Sequence, residues 1–173
     1  MTRVFIDTET TGLDYDLNEV VELSWAVEDG PIKTIIPEHT LNNASKTAMR
    51  INQYFERGLD KATRATQEQV EEFLEDVQGA TLVGANPRFD ARMVMNSLEL
   101  QEEPWHYRLL DLSAYAAGKL GAPLPLGMRE LFERMQTLGF SVPQPDHTAA
   151  GDVEATRAIY RMLSAFQVPN EGV

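Results

Sequence analysis

The stretch that decides the fold is FIDTETTGL, residues 5–13, close to the start of this 173-residue chain. Residues 2–8 alternate between apolar and polar and predict a β-strand. On a strand, Asp7 and Glu9 point to the same face because they lie two residues apart. Two carboxylates in one place repel each other, so the pattern indicates a divalent cation between them. A strand that simply ends in an acidic turn would look the same, so this motif alone does not decide the function.

The rest of the chain predicts an α/β domain. Apolar or alternating runs predict four further strands, at residues 19–27, 32–36, 80–85 and 107–110. Helical spacing, with capping residues and prolines at the boundaries, predicts helices at residues 44–59, 66–79, 87–100, 112–120, 128–138 and 149–166. Three strands in succession predict an antiparallel meander, and the later alternation of strands and helices predicts one mixed sheet covered by helices.

Composition predicts a single soluble domain spanning residues 1–173. Apolar residues make up 43% of the chain and charged residues 24%, which is typical of a globular protein. There is no cysteine, so any metal must be bound through oxygen or imidazole, and a reducing, cytoplasmic location is expected. No apolar run has the length of a membrane span, so no membrane partner is expected.

The net charge of −12 argues against a nucleic-acid partner, because phosphate backbones usually meet an excess of lysine and arginine. The local distribution weakens this objection. A basic segment precedes an acidic one, and either could simply be a solvated helix face. The basic segment contains Lys46, Arg50, Arg57, Lys61 and Arg64.

Asp90 is a second candidate site, within VGANPRFDARMV at residues 83–94. On the helix predicted there, Asp90, Val94 and Leu98 share one face. An uncompensated carboxylate on an apolar, core-facing stripe is energetically costly, which favours a functional role for Asp90.

A third candidate site lies in PDHTAAGDVEAT, residues 145–156. Asp152 begins an apolar stripe that continues through positions 155, 159, 163 and 166, and His147 precedes that helix. Two simpler interpretations remain open. Asp152 could oppose the helix dipole from the first turn, and His147 could be a surface loop residue.

In this order, FIDTETTGL, the N-x-x-F-D of residues 86–90 and the H-x-x-x-x-D of residues 147–152 resemble the three motifs of the DEDDh exonucleases. The resemblance implies a ribonuclease H-like fold, a mixed sheet of about five strands flanked by helices. It implies that two divalent cations, Mg²⁺ or Mn²⁺, are held by four carboxylates and that His147 is the general base. These carboxylates are Asp7, Glu9, Asp90 and Asp152.

The same resemblance implies 3′-to-5′ hydrolysis of phosphodiester bonds at single-stranded DNA or RNA 3′ ends, releasing nucleoside monophosphates. It suggests that Thr10, Thr11 and Leu13 contact the terminal nucleotide and that Asn86 and Phe89 line its pocket. For Leu13, simple packing into the core remains an equal alternative, and for Phe89 an aromatic residue at that spacing is more often part of the core.

Two positions depart from the family pattern. Ala85 stands where many members have histidine before the asparagine of the second motif. The segment INQY, residues 51–54, stands where many members have I-H-G-I, so Asn52 and Tyr54 are expected to help shape the nucleotide site. Neither departure touches the metal ligands, but both leave the substrate preference open.

Other functions remain as alternatives. A polymerase-associated proofreading subunit would need a docking surface, and only residues 167–173 follow the last predicted helix. A catalytically silent nucleic-acid-binding module is expected to lack an acid or the histidine, and all five are present. A calcium-binding protein would need a compact ligand loop, whereas these acids come from three segments. A homodimer, in contact through residues 114–131, is a further possibility.

Overall fold

The computed structural model describes residues 2–165, and its centre is a five-stranded sheet. The strands are β1 (Arg3–Thr10), β2 (Val20–Val27), β3 (Lys33–Ile35), β4 (Thr81–Gly84) and β5 (Leu110–Asp111). They lie in the order β3-β2-β1-β4-β5. The first three strands form the predicted antiparallel meander, and β4 and β5 add parallel to it. The mixed α/β sheet of five strands is therefore confirmed.

Helices cover both faces of this sheet. The described helices are α1 (Lys46–Ile51), α2 (Gln67–Val77), α3 (Pro87–Ser97), α4 (Leu112–Leu120), α5 (Met128–Thr137) and α6 (Ala149–Ala165). Val4 and Ile6 of β1 enter the core that contains α2 and α3, whereas Phe5 packs with Val153 of α6. The pleat of β1 therefore separates two helical layers, because successive side chains point to opposite faces.

The short length of β4 leaves one edge of β1 open. Its pairing with β1 runs only from Arg3 to Phe5 on the β1 side. A side chain at Gly84 would place its Cβ 3.0 Å from the carbonyl oxygen of Ile6, so the chain passes close to β1 as it leaves the sheet. The second half of β1 therefore has no strand partner on the side on which α3 begins.

The prediction of one helix over residues 44–59 was wrong. Helix α1 ends at Ile51, and the chain continues through turns to a short 3₁₀ helix at Leu59–Lys61. Gln53 adopts a φ of 52°, which interrupts the helix, and Tyr54 turns inward to pack with Met49 and Leu59. The apolar residues of this segment thus bury themselves by folding back over one another.

The strand predicted at residues 107–110 is also wrong in its bounds, since β5 contains only Leu110 and Asp111. Asp111 ends the strand because its side chain accepts hydrogen bonds from the backbone N–H groups of Ser113 and Ala114, which caps α4.

The last predicted helix is described as far as Ala165, so position 166 and residues 167–173 lie outside the described residues. Between residues 2 and 165, no helix is both long and apolar enough to cross a bilayer.

Candidate active site

Three of the predicted acids meet at the end of β1. One carboxylate oxygen each from Asp7, Glu9 and Asp152 lies within 4.8 Å of the other two. Asp7 and Glu9 share the face of β1 that packs on α6, and Asp152 lies in the first turn of that helix. The register between β1 and β2 shifts after Glu9, an irregularity that often lies beside active sites. These three acids are called the carboxylate cluster below.

Asp90 approaches the carboxylate cluster from the other helical layer. It lies in the first turn of α3, is buried, and accepts a 2.7 Å hydrogen bond from the hydroxyl of Thr8. The helix begins after Asn86, which has a left-handed φ of 64° and is followed by Pro87 in the first turn. Asp90 lies outside the group of three but is close enough to raise the pKa of Asp7.

Burial and mutual repulsion raise the pKa values of these acids. Burial, followed by the charges of Asp152 and Glu22, raises the pKa of Glu9 to about 8. The pKa of Asp7 lies well above its ordinary value for the same reasons, and burial also raises the pKa values of Asp90 and Asp152. Clustered carboxylate oxygens with this much unbalanced negative charge fit a hard divalent cation such as Mg²⁺ or Mn²⁺.

His147 lies on the exposed loop before α6, beside Asp152. Its backbone is left-handed, with a φ of 61°, which is uncommon for a residue other than glycine. The N–H of Asp146 donates a 3.0 Å hydrogen bond to Asp152 Oδ1, and Asp146 in turn accepts from the hydroxyl of Thr148. The candidate base and a candidate metal ligand are therefore parts of one hydrogen-bonded turn.

The turn after β1 exposes Leu13 and buries its threonines. The side chain of Leu13 is 81% exposed, so the alternative that it packs into the core is wrong. Thr10 and Thr11 are buried, and their hydroxyls respectively donate to the carbonyl of Gly12 and accept from the N–H of Glu19. Of the three nucleotide contacts predicted in this turn, Leu13 is thus the one with an exposed side chain.

The remaining predicted nucleotide contacts divide between surface and core. Asn86 is exposed at the start of α3. Phe89 is partly buried and packs against the core, and its ring centroid lies 5.6 Å from that of Tyr15 at an interplanar angle of 49°. Asn52 is buried behind the β1 turn, where its Nδ2 donates to the carbonyl of Thr10, and Tyr54 is buried beneath it. Asn52 therefore supports the turn from behind and does not line a solvent-facing pocket.

Two residues of the site were missed by the sequence analysis. Glu22 of β2 lies opposite Glu9 in the sheet and is buried, and Arg57 forms a 2.5 Å ion pair with it. Glu22 interrupts the apolar run VVELSWAV, and an acid within a strand that is otherwise buried was a usable signal. Arg57 carried no such signal, because its position depends on the turns that replace the predicted helix.

A cleft of about 470 Å³ adjoins the carboxylate cluster. His147 and Asp152 form one wall of this cleft, and Met128 and Phe132 of α5 lie on the other. Arg129 and Glu133 also line the α5 side, so the cleft beside Asp152 has a wall of mixed apolar and charged character.

The fold and the acids define a class of protein, the ribonuclease H-like nucleases of DEDD type. The RNase T family model, described as "Exonuclease", matches residues 4–160, so the chain belongs to this exonuclease family. No curated protein sequence is significantly similar to it.

Solved structures of exonuclease I share the fold. One has a TM-score of 0.71 at 18% identity, over 96% of this chain. Exonuclease I from Methylocaldum szegediense has a TM-score of 0.70 at 16% identity over 96% of this chain, and the E. coli enzyme with a dT13 oligonucleotide has 0.68 at 18% over 94%. This chain spans 41% of the length of each of these proteins.

Proposed function

We propose that this protein removes nucleoside monophosphates one at a time from the 3′ end of single-stranded DNA, with RNA as the alternative substrate. The observation that carries the proposal is the carboxylate cluster, with Asp90 and His147 beside it. Family membership and the presence of all five motif residues support hydrolysis over silent binding. The E. coli exonuclease I structure with dT13 supports single-stranded DNA as the first substrate to test.

Each residue has a distinct role in this proposal. Asp7, Glu9 and Asp152 hold divalent cations, with Asp90 contributing from α3. Bound cations would neutralise the phosphate and make the attacking water more acidic. His147, exposed on its loop, accepts the proton of that water, a step for which imidazole suits neutral pH. Leu13 packs against the terminal nucleotide from the β1 turn.

A basic and apolar groove beside the site supports a single-stranded substrate. Phe55 is 58% exposed, and it lines a concavity whose charged residues are Lys46, Arg50 and Glu56, two cations against one acid. No salt bridge between described residues involves Lys46 or Arg50. The segment is attached to the β1 turn, because the N–H of Ser45 donates to the carbonyl of Thr11. Unpaired bases stack on aromatic rings, and cations track the phosphates.

The test is digestion of 5′-labelled single-stranded DNA and RNA oligonucleotides with Mg²⁺ or Mn²⁺. We expect a ladder that shortens from the 3′ end, disappears with EDTA and is absent for Asp7→Ala. Asp29→Ala is the matched control, because Asp29 is an exposed acid that pairs with Arg161 outside the site. A wild-type protein that leaves both strands intact with either metal would contradict the proposal.

A further inference from the structure

Three hydrogen bonds fix the backbone on both sides of His147. The N–H of Asp146, the preceding residue, donates to Asp152. The N–H of Ala149, two residues after His147, donates a 3.0 Å hydrogen bond to Glu22 Oε2. The carbonyl of His147 itself accepts from Arg57 Nη1 at 3.5 Å. Two of these three partners, Glu22 and Arg57, are not ligands of the proposed metal site.

Glu22 and Arg57 form one unit beneath this loop. The two side chains are 7% and 20% exposed, and Arg57 Nη2 meets Glu22 Oε1. Arg57 Nη1 also donates to the carbonyl of Asn52 at 3.2 Å, which ties the pair to the segment behind the β1 turn. The planar guanidinium can make these contacts together because its donors lie in a fixed fork.

The loop needs such support because its backbone conformation is unfavourable. A left-handed φ at a residue with a side chain costs free energy and persists only where the surroundings impose it. Within residues 2–165, no side chain forms a hydrogen bond with the imidazole of His147, so no such bond orients the ring. The direction of the ring therefore depends on the backbone, which Glu22 and Arg57 hold together with Asp152.

We propose that Arg57 and Glu22 are positioning residues that hold the His147 backbone so that its imidazole faces the carboxylate cluster. This inference rests on the proposed role of His147 as the general base. The competing explanation is that the pair only stabilises the fold by satisfying buried charge. The two explanations differ in whether removing the pair matters once the imidazole is gone.

The test is a cycle built on the double variant Glu22→Gln/Arg57→Gln. Changing both residues avoids leaving Glu22 as a buried, unpaired charge, and the glutamine at position 22 can still accept from Ala149. At saturating Mn²⁺ we expect kcat to fall roughly 10- to 100-fold with His147 present, because small displacements of a catalytic group have effects of this size. With His147→Ala in the background, the same two changes should alter kcat less than about 3-fold.

The controls separate positioning from stability and charge. Arg161→Gln removes a partly exposed arginine and its ion pair with Asp29 on the outer side of α6, and should leave kcat unchanged. KM and the Mn²⁺ concentration for half-maximal activity should be unchanged in the double variant. Arg57→Lys retains the positive charge, but its kcat should lie between those of the double variant and the wild type. One ammonium group cannot reproduce all the hydrogen bonds of the planar guanidinium. Equal losses of kcat in both His147 backgrounds, or full recovery by lysine, would overturn the proposal.

A readout that does not need turnover distinguishes this proposal from the proposed function. Hydrogen exchange of the Ala149 amide should be roughly 10-fold faster or more in the double variant, since its acceptor is no longer fixed by Arg57. If the Ala149 amide exchanges as slowly in the double variant as in the wild type, the proposal that Glu22 and Arg57 hold the His147 backbone is overturned, even if the enzyme is active. A wild-type protein without activity would refute the proposed function. The exchange rates would still show whether Glu22 and Arg57 hold the His147 backbone.

Discussion

At the scale of single residues, the site is an arrangement of acids that the metal-free protein would be more stable without. Asp7 illustrates this point because burial and the charges of its acidic neighbours both disfavour its ionised form. A side chain retained against such a cost indicates a function that requires the charge. Its replacement should therefore separate stability from activity.

We expect Asp7→Asn to abolish turnover while stabilising the metal-free fold. The amide keeps the size of the side chain and removes one repelling charge, so the free energy of unfolding in EDTA should rise by on the order of 1 kcal/mol. Activity should fall at least about 100-fold, because an amide is a poorer metal ligand. Urea unfolding and oligonucleotide digestion measure the two effects, with Asp29→Asn as the control. An unfolded variant would argue against a site role for Asp7.

Gly151 is required by the turn that carries His147 and Asp152. A Cβ at this position would lie 2.2 Å from Asp146 Oδ1 and 2.9 Å from Thr148 Oγ1. Gly151→Ala should therefore displace the turn and lower kcat roughly 10- to 100-fold. Gly118→Ala is the matched control, because Gly118 lies in α4 and its Cβ would meet no atom within 4 Å. Gly118→Ala should be neutral or slightly stabilising, and equal kinetics in the two variants would show that the contacts around Gly151 are unimportant.

At the scale of elements, the sequence predicted those helix bounds and caps that depend on residues close together in the chain. Helix α4 has the predicted bounds, and the N-terminus of α2 has the capping box expected from Thr66 and Gln69. The helix predicted over residues 44–59 was wrong because the burial of Tyr54 in one cluster with Met49, Leu59 and the distant Val21 of β2 outweighs helical periodicity. For the same reason the sequence predicted the spacing of Asp7 and Glu9 but not the contribution of Arg57, which long-range contacts bring to the site.

The segment around α1 should act as the path of the substrate strand. Phe55→Ala or Arg50→Gln should raise KM for long oligonucleotides about 5- to 100-fold, the range expected when a base loses its stacking partner or a phosphate its counter-charge. KM for a dinucleotide should change little, because a short substrate does not reach the groove. Leu124→Ala, which removes an exposed apolar side chain between α4 and α5, is the control. Equal effects on long and short substrates would contradict this path.

At the scale of the whole molecule, the charge distribution is compatible with the acidic substrate that we propose for this acidic protein. The net charge of −12 opposes the approach of nucleic acid at long range. Close to the site, this charge is partly concentrated in acids that would bind cations, while Lys46 and Arg50 line the neighbouring groove. Bound metal would therefore turn this group of acids from a feature that repels phosphate into one that attracts it.

The stability of the metal-free protein should fall as pH rises from about 5 to about 8. The folded pKa of Glu9 is raised from 4.5 to about 8, and those of Asp7, Asp90 and Asp152 are also raised. Between these values the folded state binds more protons than the unfolded state, so the free energy of unfolding decreases with pH. We expect the free energy of unfolding to decrease by on the order of 1–3 kcal/mol over this range. Each kcal/mol should lower Tm by about 2–4 °C.

Thermal unfolding in EDTA and in Mn²⁺ at each pH measures this effect. Mn²⁺ should raise Tm more at pH 8 than at pH 6, because at the lower pH the cation must displace protons from the acids that it binds. The double variant Asp7→Asn/Glu9→Gln is the control, and it should give a flatter pH profile and a smaller response to Mn²⁺. An identical pH slope in wild type and control would assign the effect to the general charge of the protein, and the raised pKa values of the carboxylate cluster would then have no part in it.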